Sequence, residues 1–207
     1  MTRIPVRWSV AVLIAMLAAC ASAPTHFYTL LPPAQTQGNA KATAAFAIDV
    51  EPVGVPVDVD QAAWLIRTGR GQVAVLDNER WAAPLNDELR AAFADALTRR
   101  LGALDVHASS VPANKPVYRI RINVRRFESV PGKFALIRAD WSVAPPGATE
   151  NAAGASTITC SSSESQPVGP GYAALAVGHQ KALAEIADSI VAAMRNLAAG
   201  HSECPSD

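Results

Sequence analysis

The clearest pattern along the chain is a strict alternation. Tyr118, Ile120, Ile122 and Val124 are apolar or aromatic, and Arg119, Arg121, Asn123 and Arg125 fall between them. Successive side chains of a strand point to opposite faces, so this period of two predicts a half-buried β-strand. Its other face carries Arg119, Arg121 and Arg125 as a row. Arg126-Phe127 breaks the rhythm, which predicts a bulge or the end of the strand. Beyond the turn-forming Val130-Pro131-Gly132-Lys133, Ile137, Ala139, Trp141 and Val143 alternate with Arg138, Asp140 and Ser142 as a partner strand. Residues 144–154 read as a loop, and Ser156 to Ser165 as a polar strand near a sheet edge.

Two stretches switch to steps of three and four. Leu85, Leu89, Phe93, Ala96, Leu97 and Leu101 predict a helix that starts near Pro84 and stops at Gly102. Asp87 and Glu88 near its start and Arg99-Arg100 near its end suit the helix dipole. Trp81, just upstream, is placed as an anchor beneath it. Tyr172, Leu175, His179, Leu183, Ile186, Ile190, Met194 and Leu197 predict a second helix, ended by Gly200. At ~1.5 Å per residue it is roughly 40 Å long. His179 sits on the apolar stripe and reads as a satisfied core group rather than a ligand. Nearer the N-terminus, 26–30 and 46–53 read as strands, and Trp64–Arg67 with Gln72–Leu76 as a hairpin around Thr68-Gly69-Arg70-Gly71. The expected architecture is α+β, with a mostly antiparallel sheet of five or more strands and two long amphipathic helices on one face.

The first residues follow different rules. Arg3 and Arg7 precede the apolar run VAVLIAML at 10–17, and small residues follow, the layout of a secretory signal. The run is far short of the ~20 residues a membrane-spanning helix needs. Leu17-Ala18-Ala19-Cys20 resembles the bacterial lipobox, which implies cleavage before Cys20, diacylation of its sulfur and acylation of the new amine. Two or three chains anchor a protein durably, because each buried methylene adds ~0.8 kcal/mol. Ala21 and Ser22 follow where an inner-membrane retention signal resembles Asp, so the resemblance implies the outer membrane of a Gram-negative cell, facing the periplasm. The expected division is a signal peptide at 1–19, a lipidated N-terminus with first strand and linker at 20–45, one α+β domain at 46–199 and a polar tail at 200–207.

Composition then closes several routes. Removing the signal takes away Arg3 and Arg7 and leaves 16 Lys+Arg against 18 Asp+Glu. Such a near-neutral body lacks the clustered basic surface that nucleic acid requires. Cys160 and Cys204 remain in an oxidising compartment and either pair or stay as two thiols. Neither a CxxC nor a Cys/His ligand spacing is present, and Asp58 with Asp60 is too few acids for calcium, so no metal or other cofactor is expected. Ser161-Ser162-Ser163 lacks a G-x-S-x-G elbow, and the four histidines lack HExxH spacing. No catalytic constellation is assembled.

These landmarks together resemble one family, the PqiC-type lipoproteins, auxiliary subunits of transport systems built around MCE-domain proteins. The matching pieces are the lipobox, His26-Phe27-Tyr28-Thr29-Leu30, IDVEPVGVP at 48–56, and Glu79-Arg80-Trp81-Ala82-Ala83-Pro84-Leu85 leading into LNDELRAAFADALTRRL. RIRINVRRFE, Ala139-Asp140-Trp141 and the closing helix follow. Arg80, Trp81, Pro84 and Leu85 form the most specific motif, a strand-to-helix corner with an indole plug. The resemblance implies a non-catalytic subunit that engages a periplasmic MCE protein, supports phospholipid transport and the envelope barrier, and forms homo-oligomers. The Arg119/Arg121/Arg125 row is then either a solvated face balanced by Asp140 and Glu164 or a docking face for an acidic partner or lipid head groups. The rival role is an outer-membrane lipoprotein that regulates a cell-wall synthase.

Overall fold

The computed structural model describes residues 23–33, 43–109, 115–148 and 157–205. The expected signal peptide, Cys20, most of the 34–44 loop and half of the 144–154 loop lie outside them. Ten elements follow in chain order: β1 (His26–Tyr28), β2 (Ala47–Val50), β3 (Ala63–Arg67), β4 (Val73–Trp81), α1 (Leu85–Leu101), β5 (Leu104–Asp105), β6 (Val117–Val130), β7 (Phe134–Ala144), β8 (Ile158–Pro167) and α2 (Tyr172–Ala198).

The alternation of β6 becomes a two-sided strand. Ile120, Ile122 and Val124 are buried, while Arg119, Arg121 and Arg125 are exposed on the opposite face. β7 pairs antiparallel with β6 and adds Ile137, Ala139, Trp141 and Val143 to the same buried side. β8 continues the sheet with Ile158 and Cys160. The register slips between Val124 and Arg126, so Arg125 is the extra residue of a bulge. The strand does not end there. It runs on to Val130 with Phe127, Glu128 and Ser129 all buried, because Trp64 of β3 and His179 of α2 both close over Ser129, while Arg67 and Arg126 close over Glu128.

The α+β class holds, with a mixed pairing that a hydrophobic pattern does not specify. The strands divide into a five-stranded sheet, β5-β2-β6-β7-β8, and a three-stranded sheet, β1-β4-β3. β2 runs parallel to both β5 and β6, and β1 runs parallel to β4. The parallel pairing of β2 and β6 follows from the chain between them, which makes the small sheet and α1 before returning.

Both helices cover the apolar face of the large sheet. α2 packs its Leu175, Leu183, Ile186, Ile190 and Met194 stripe inward, along β7 and β8. α1 lies beside it on β2 and β5, with Leu85, Leu89, Phe93 and Leu97 buried. Arg100 Nε reaches Asp188 Oδ1 at 2.5 Å across the two helices. α1 ends at Gly102, whose φ of 60° is the left-handed cap that an L side chain resists. Beyond α2, the tail is tied to β8 by the Cys160–Cys204 disulfide, with Cα atoms 5.8 Å apart.

α2 approaches the sheet closely at Gly178. A Cβ there would lie 2.4 Å from Val168 Cγ1 and 2.9 Å from Ala135 Cβ. Gly178→Leu should therefore cost about 2 kcal/mol or more by overpacking, read as a lower urea midpoint. An unchanged midpoint would show that this contact has slack.

Candidate functional site

The two strongest sequence landmarks meet in space at the small sheet. His26-Phe27-Tyr28 lies beside Glu79-Arg80-Trp81 in parallel register, and Ala82 N–H donates to the Tyr28 carbonyl at 2.8 Å. Pro84 is the residue capping α1, with φ −51° and ψ 143°, and Leu85 opens the helix fully buried. Trp81 is 2% exposed and lies against Trp64, ring centroids 4.1 Å apart. Tyr28 meets Trp64 edge-on at 5.1 Å.

A residue that the sequence reading placed only as a dipole partner closes this corner. Glu88 is buried, and its carboxylate accepts from Thr29 Oγ1 and from Leu30 N–H, both at 2.8 Å. It clamps the end of the first strand to the first turn of α1. The signal for it was a glutamate on the inward side of the helix, three residues after Leu85. Glu79 binds the other end of the strand, accepting from Tyr28 Oη and pairing with His26 Nδ1 at 2.9 Å. Burial works against the Glu79 carboxylate, yet the hydrogen bonds from Tyr28 and His26 outweigh it and hold its pKa below the usual value. Burial, with Glu79 beside it, pushes the Tyr28 phenol up to about 12.

The joint between the sheets is polar at its centre and aromatic around it. Trp64 Nε1 donates to Ser129 Oγ at 2.9 Å, and Ser129 Oγ shares a hydrogen bond with His179 Nε2 at 2.8 Å. His179 stacks on Phe127 at 3.9 Å between centroids. Beside it, the buried Glu128 carboxylate is paired by Arg67 from β3 and Arg126 from β6. An open cleft of about 230 Å³ lies over this pair, lined by Pro56, Val59, Leu65, Val73 and Phe127 among others.

The arginine row stands on the face of the large sheet that bears no helix. Arg119 Nε and Arg121 Nε approach the two oxygens of Glu51 at 3.3 Å and 2.8 Å, and Arg125 Nε approaches Asp140 at 2.7 Å. Glu51, just past β2, is a balancing acid that the sequence reading missed, because the parallel β2–β6 pairing brings it there. Hydrogen bonds from the Ser161 hydroxyl and Arg125 hold the Asp140 carboxyl below the usual range. Asp49 stands beside Arg119 in register and Arg138 is exposed beside Asp140. Arg119, Arg121, Arg125 and Arg138 thus face Asp49, Glu51 and Asp140 on an exposed, hydrogen-bonding surface with a small excess of positive charge.

Cys20 is outside the described residues, and the corner, the arginine row and the disulfide lie in three separate places. Among the described residues no helix is long and apolar enough to cross a membrane, and no three His, Cys, Asp or Glu side chains group as a metal site. Residues 28–191, from the first strand through most of α2, match the family described as ABC-type transport auxiliary lipoprotein component. The chain belongs to that family. The ABC-type transport auxiliary lipoproteins are auxiliary components of transport systems, and the family description is not that of an enzyme. The match starts at Tyr28 and takes in the whole Arg80–Leu85 corner, so that motif belongs to the shared fold. Solved structures agree on the fold. An uncharacterized protein superposes with a TM-score of 0.64 at 17% identity, covering 83% of this chain and 99% of that one. A protein from Xanthomonas campestris superposes with a TM-score of 0.54 at 19% identity, covering 85% and 96%. No curated protein matches the sequence.

Proposed function

We propose that this chain is an outer-membrane lipoprotein, held through Cys20, that docks the periplasmic MCE component of an intermembrane phospholipid transport system. The observation that carries this reading is the auxiliary transport lipoprotein match over residues 28–191. LAAC at 17–20 supplies the anchor, and Ala21-Ser22 the outer-membrane address. The protein contributes position and contact rather than chemistry. Its role in the envelope barrier is to hold the outer-membrane end of the lipid route.

The docking face is the exposed row of Arg119, Arg121 and Arg125, which presents planar guanidinium groups to an acidic partner. Affinity purification from envelope membranes should recover an MCE-domain protein with the wild type. Arg121→Glu should recover at least about tenfold less, because a reversed charge at an interface costs more than ~1.4 kcal/mol. Its thermal midpoint should stay within a few degrees, as this is an exposed strand position. Recovery of cell-wall synthesis enzymes alone would overturn the assignment in favour of a synthase regulator. Equal MCE recovery with Arg121→Glu would remove the row from the interface. Cys20→Ala should leave a folded, unprocessed protein that no longer fractionates with the outer membrane, and normal fractionation would contradict the anchor.

A further inference from the structure

We propose that the outer face of the three-stranded sheet lies flat against the anionic phospholipid surface that holds the chain. This inference rests on the reading of Cys20 as the acylated residue.

The two faces of this sheet are unlike. Tyr28, Trp64, Ile66 and Trp81 point into the core. Leu76 and Ala74 stand opposite Trp64 and Ile66 and turn the same way, so Val75 and Val73 turn outward. Phe27, next to the inward Tyr28, also turns outward, opposite Arg80 in register. Phe27 is 65% exposed, Val73 54% and Val75 49%, and no helix covers them. They are three of the largest apolar exposures in the described chain: Val73 and Val75 stand at one end of β4, and Phe27 of β1 flanks its other end, on the outer face of the same sheet. Cations border it. Arg80 lies beside Phe27 and Arg70 at the hairpin tip, and neither forms an ion pair among the described residues. Val73 also lines the cleft in which Glu128 neutralises Arg67 and Arg126, with Asp58 beside them, so the cations offered to head groups are Arg70 and Arg80. Asp77 is the exposed acid on this stretch of β4. An apolar strip rimmed by arginines fits the boundary between acyl chains and anionic head groups.

Chain length selects the bilayer over other occupants. Cys20 precedes Ala23, the first described residue, by three positions, a reach of at most about 11 Å. It precedes Phe27 by seven, at most about 25 Å, whereas a domain of this size is about 40 Å across. The β1 side of the molecule is therefore the side that meets the membrane, and the strip begins there.

The test uses the mature lipidated protein in vesicles of phosphatidylethanolamine and phosphatidylglycerol, with brominated lipids as quenchers. Phe27→Trp and Val75→Trp place an indole in the strip. Glu203→Trp places one in the tail tied to Cys160, at the end of the large sheet away from Ser129. Emission from positions 27 and 75 should fall at least about twofold on bromination while position 203 stays unchanged. Arg70→Glu with Arg80→Glu should weaken that quenching. Vesicle-bound protein whose positions 27 and 75 are not quenched would overturn the face and leave the anchor standing. Positions that are shielded but unquenched, with cross-linked dimers, would assign the strip to a second copy and overturn it equally. Mass spectrometry showing no acyl chains on Cys20 would remove both the anchor and this orientation.

Discussion

Trp81→Ala should lower the stability of the domain by about 3–5 kcal/mol, the usual loss for a large buried aromatic cut back to alanine. The indole is 2% exposed, lies against Trp64 and meets Phe127 edge-on at 5.8 Å. It therefore joins three parts at once, namely the small sheet, the start of α1 and the β6 end of the large sheet. A domain with a total of about 5–15 kcal/mol cannot lose this much without a visible shift. Equilibrium urea unfolding followed by circular dichroism measures it. Trp81→Phe should recover a good part of the loss, since a smaller aromatic still fills the plug. A change below about 1 kcal/mol for the alanine variant would show that the corner is not part of the core.

The second large effect is pH-dependent. His179 is fully buried and its pKa is pushed down to about 3 by desolvation. Its neighbours are Ser129, Phe127, Trp64 and Trp81, none of which offers a charge to stabilise an imidazolium. A depressed histidine pKa means that the unfolded chain takes a proton which the fold refuses. The contribution is complete above the ordinary histidine pKa near 6.5 and is lost as pH falls toward about 3. Between pH 6.5 and 4.5 the loss should be about 2 kcal/mol, since each pH unit well below 6.5 is worth about 1.36 kcal/mol. His179→Gln cannot titrate and should flatten the slope in this window, whatever it does to stability at pH 7.5. Glu79 and Asp140 are held below their usual carboxylate values, so their losses fall at lower pH and do not mimic the signal. Equal slopes for wild type and variant would contradict the assignment.

How much of this was written in the sequence depends on the range of the interaction. Periodicity found β6, β7 and both helices, because each buries one face and its own pattern records which. The bulge was visible as a broken alternation at Arg126-Phe127, one residue from where the register slips. The burial beyond it was not, since three consecutive buried residues have no period. Only the arrival of β3 and α2 explains them. The split into two sheets and the parallel pairings of β1 and β2 were also hidden. Short strands such as Ala47–Val50 carry too few residues to record a partner's direction. Glu51 and Glu88 illustrate the same limit at single-residue scale. Each is an ordinary surface acid in the sequence and takes its role from a partner about 60 to 70 residues away. The corner motif fared better because its parts are rigid and local. Trp81 fills a fixed volume, and Pro84 sets the backbone entry to a helix whose inward face begins at Leu85.

The way β1 is built in has a mechanical consequence. Any pull on the residues before Ala23 reaches the body through His26–Tyr28, which runs alongside β4 in the same direction. Load applied along that strand strains its backbone links to β4 side by side rather than peeling them singly, and the Glu88 clamp stands behind them as a stop. Traction at one end of the molecule is thus passed into α1 and the core as a whole, so a pull through the proposed Cys20 anchor would load the folded body rather than strip off its first strand.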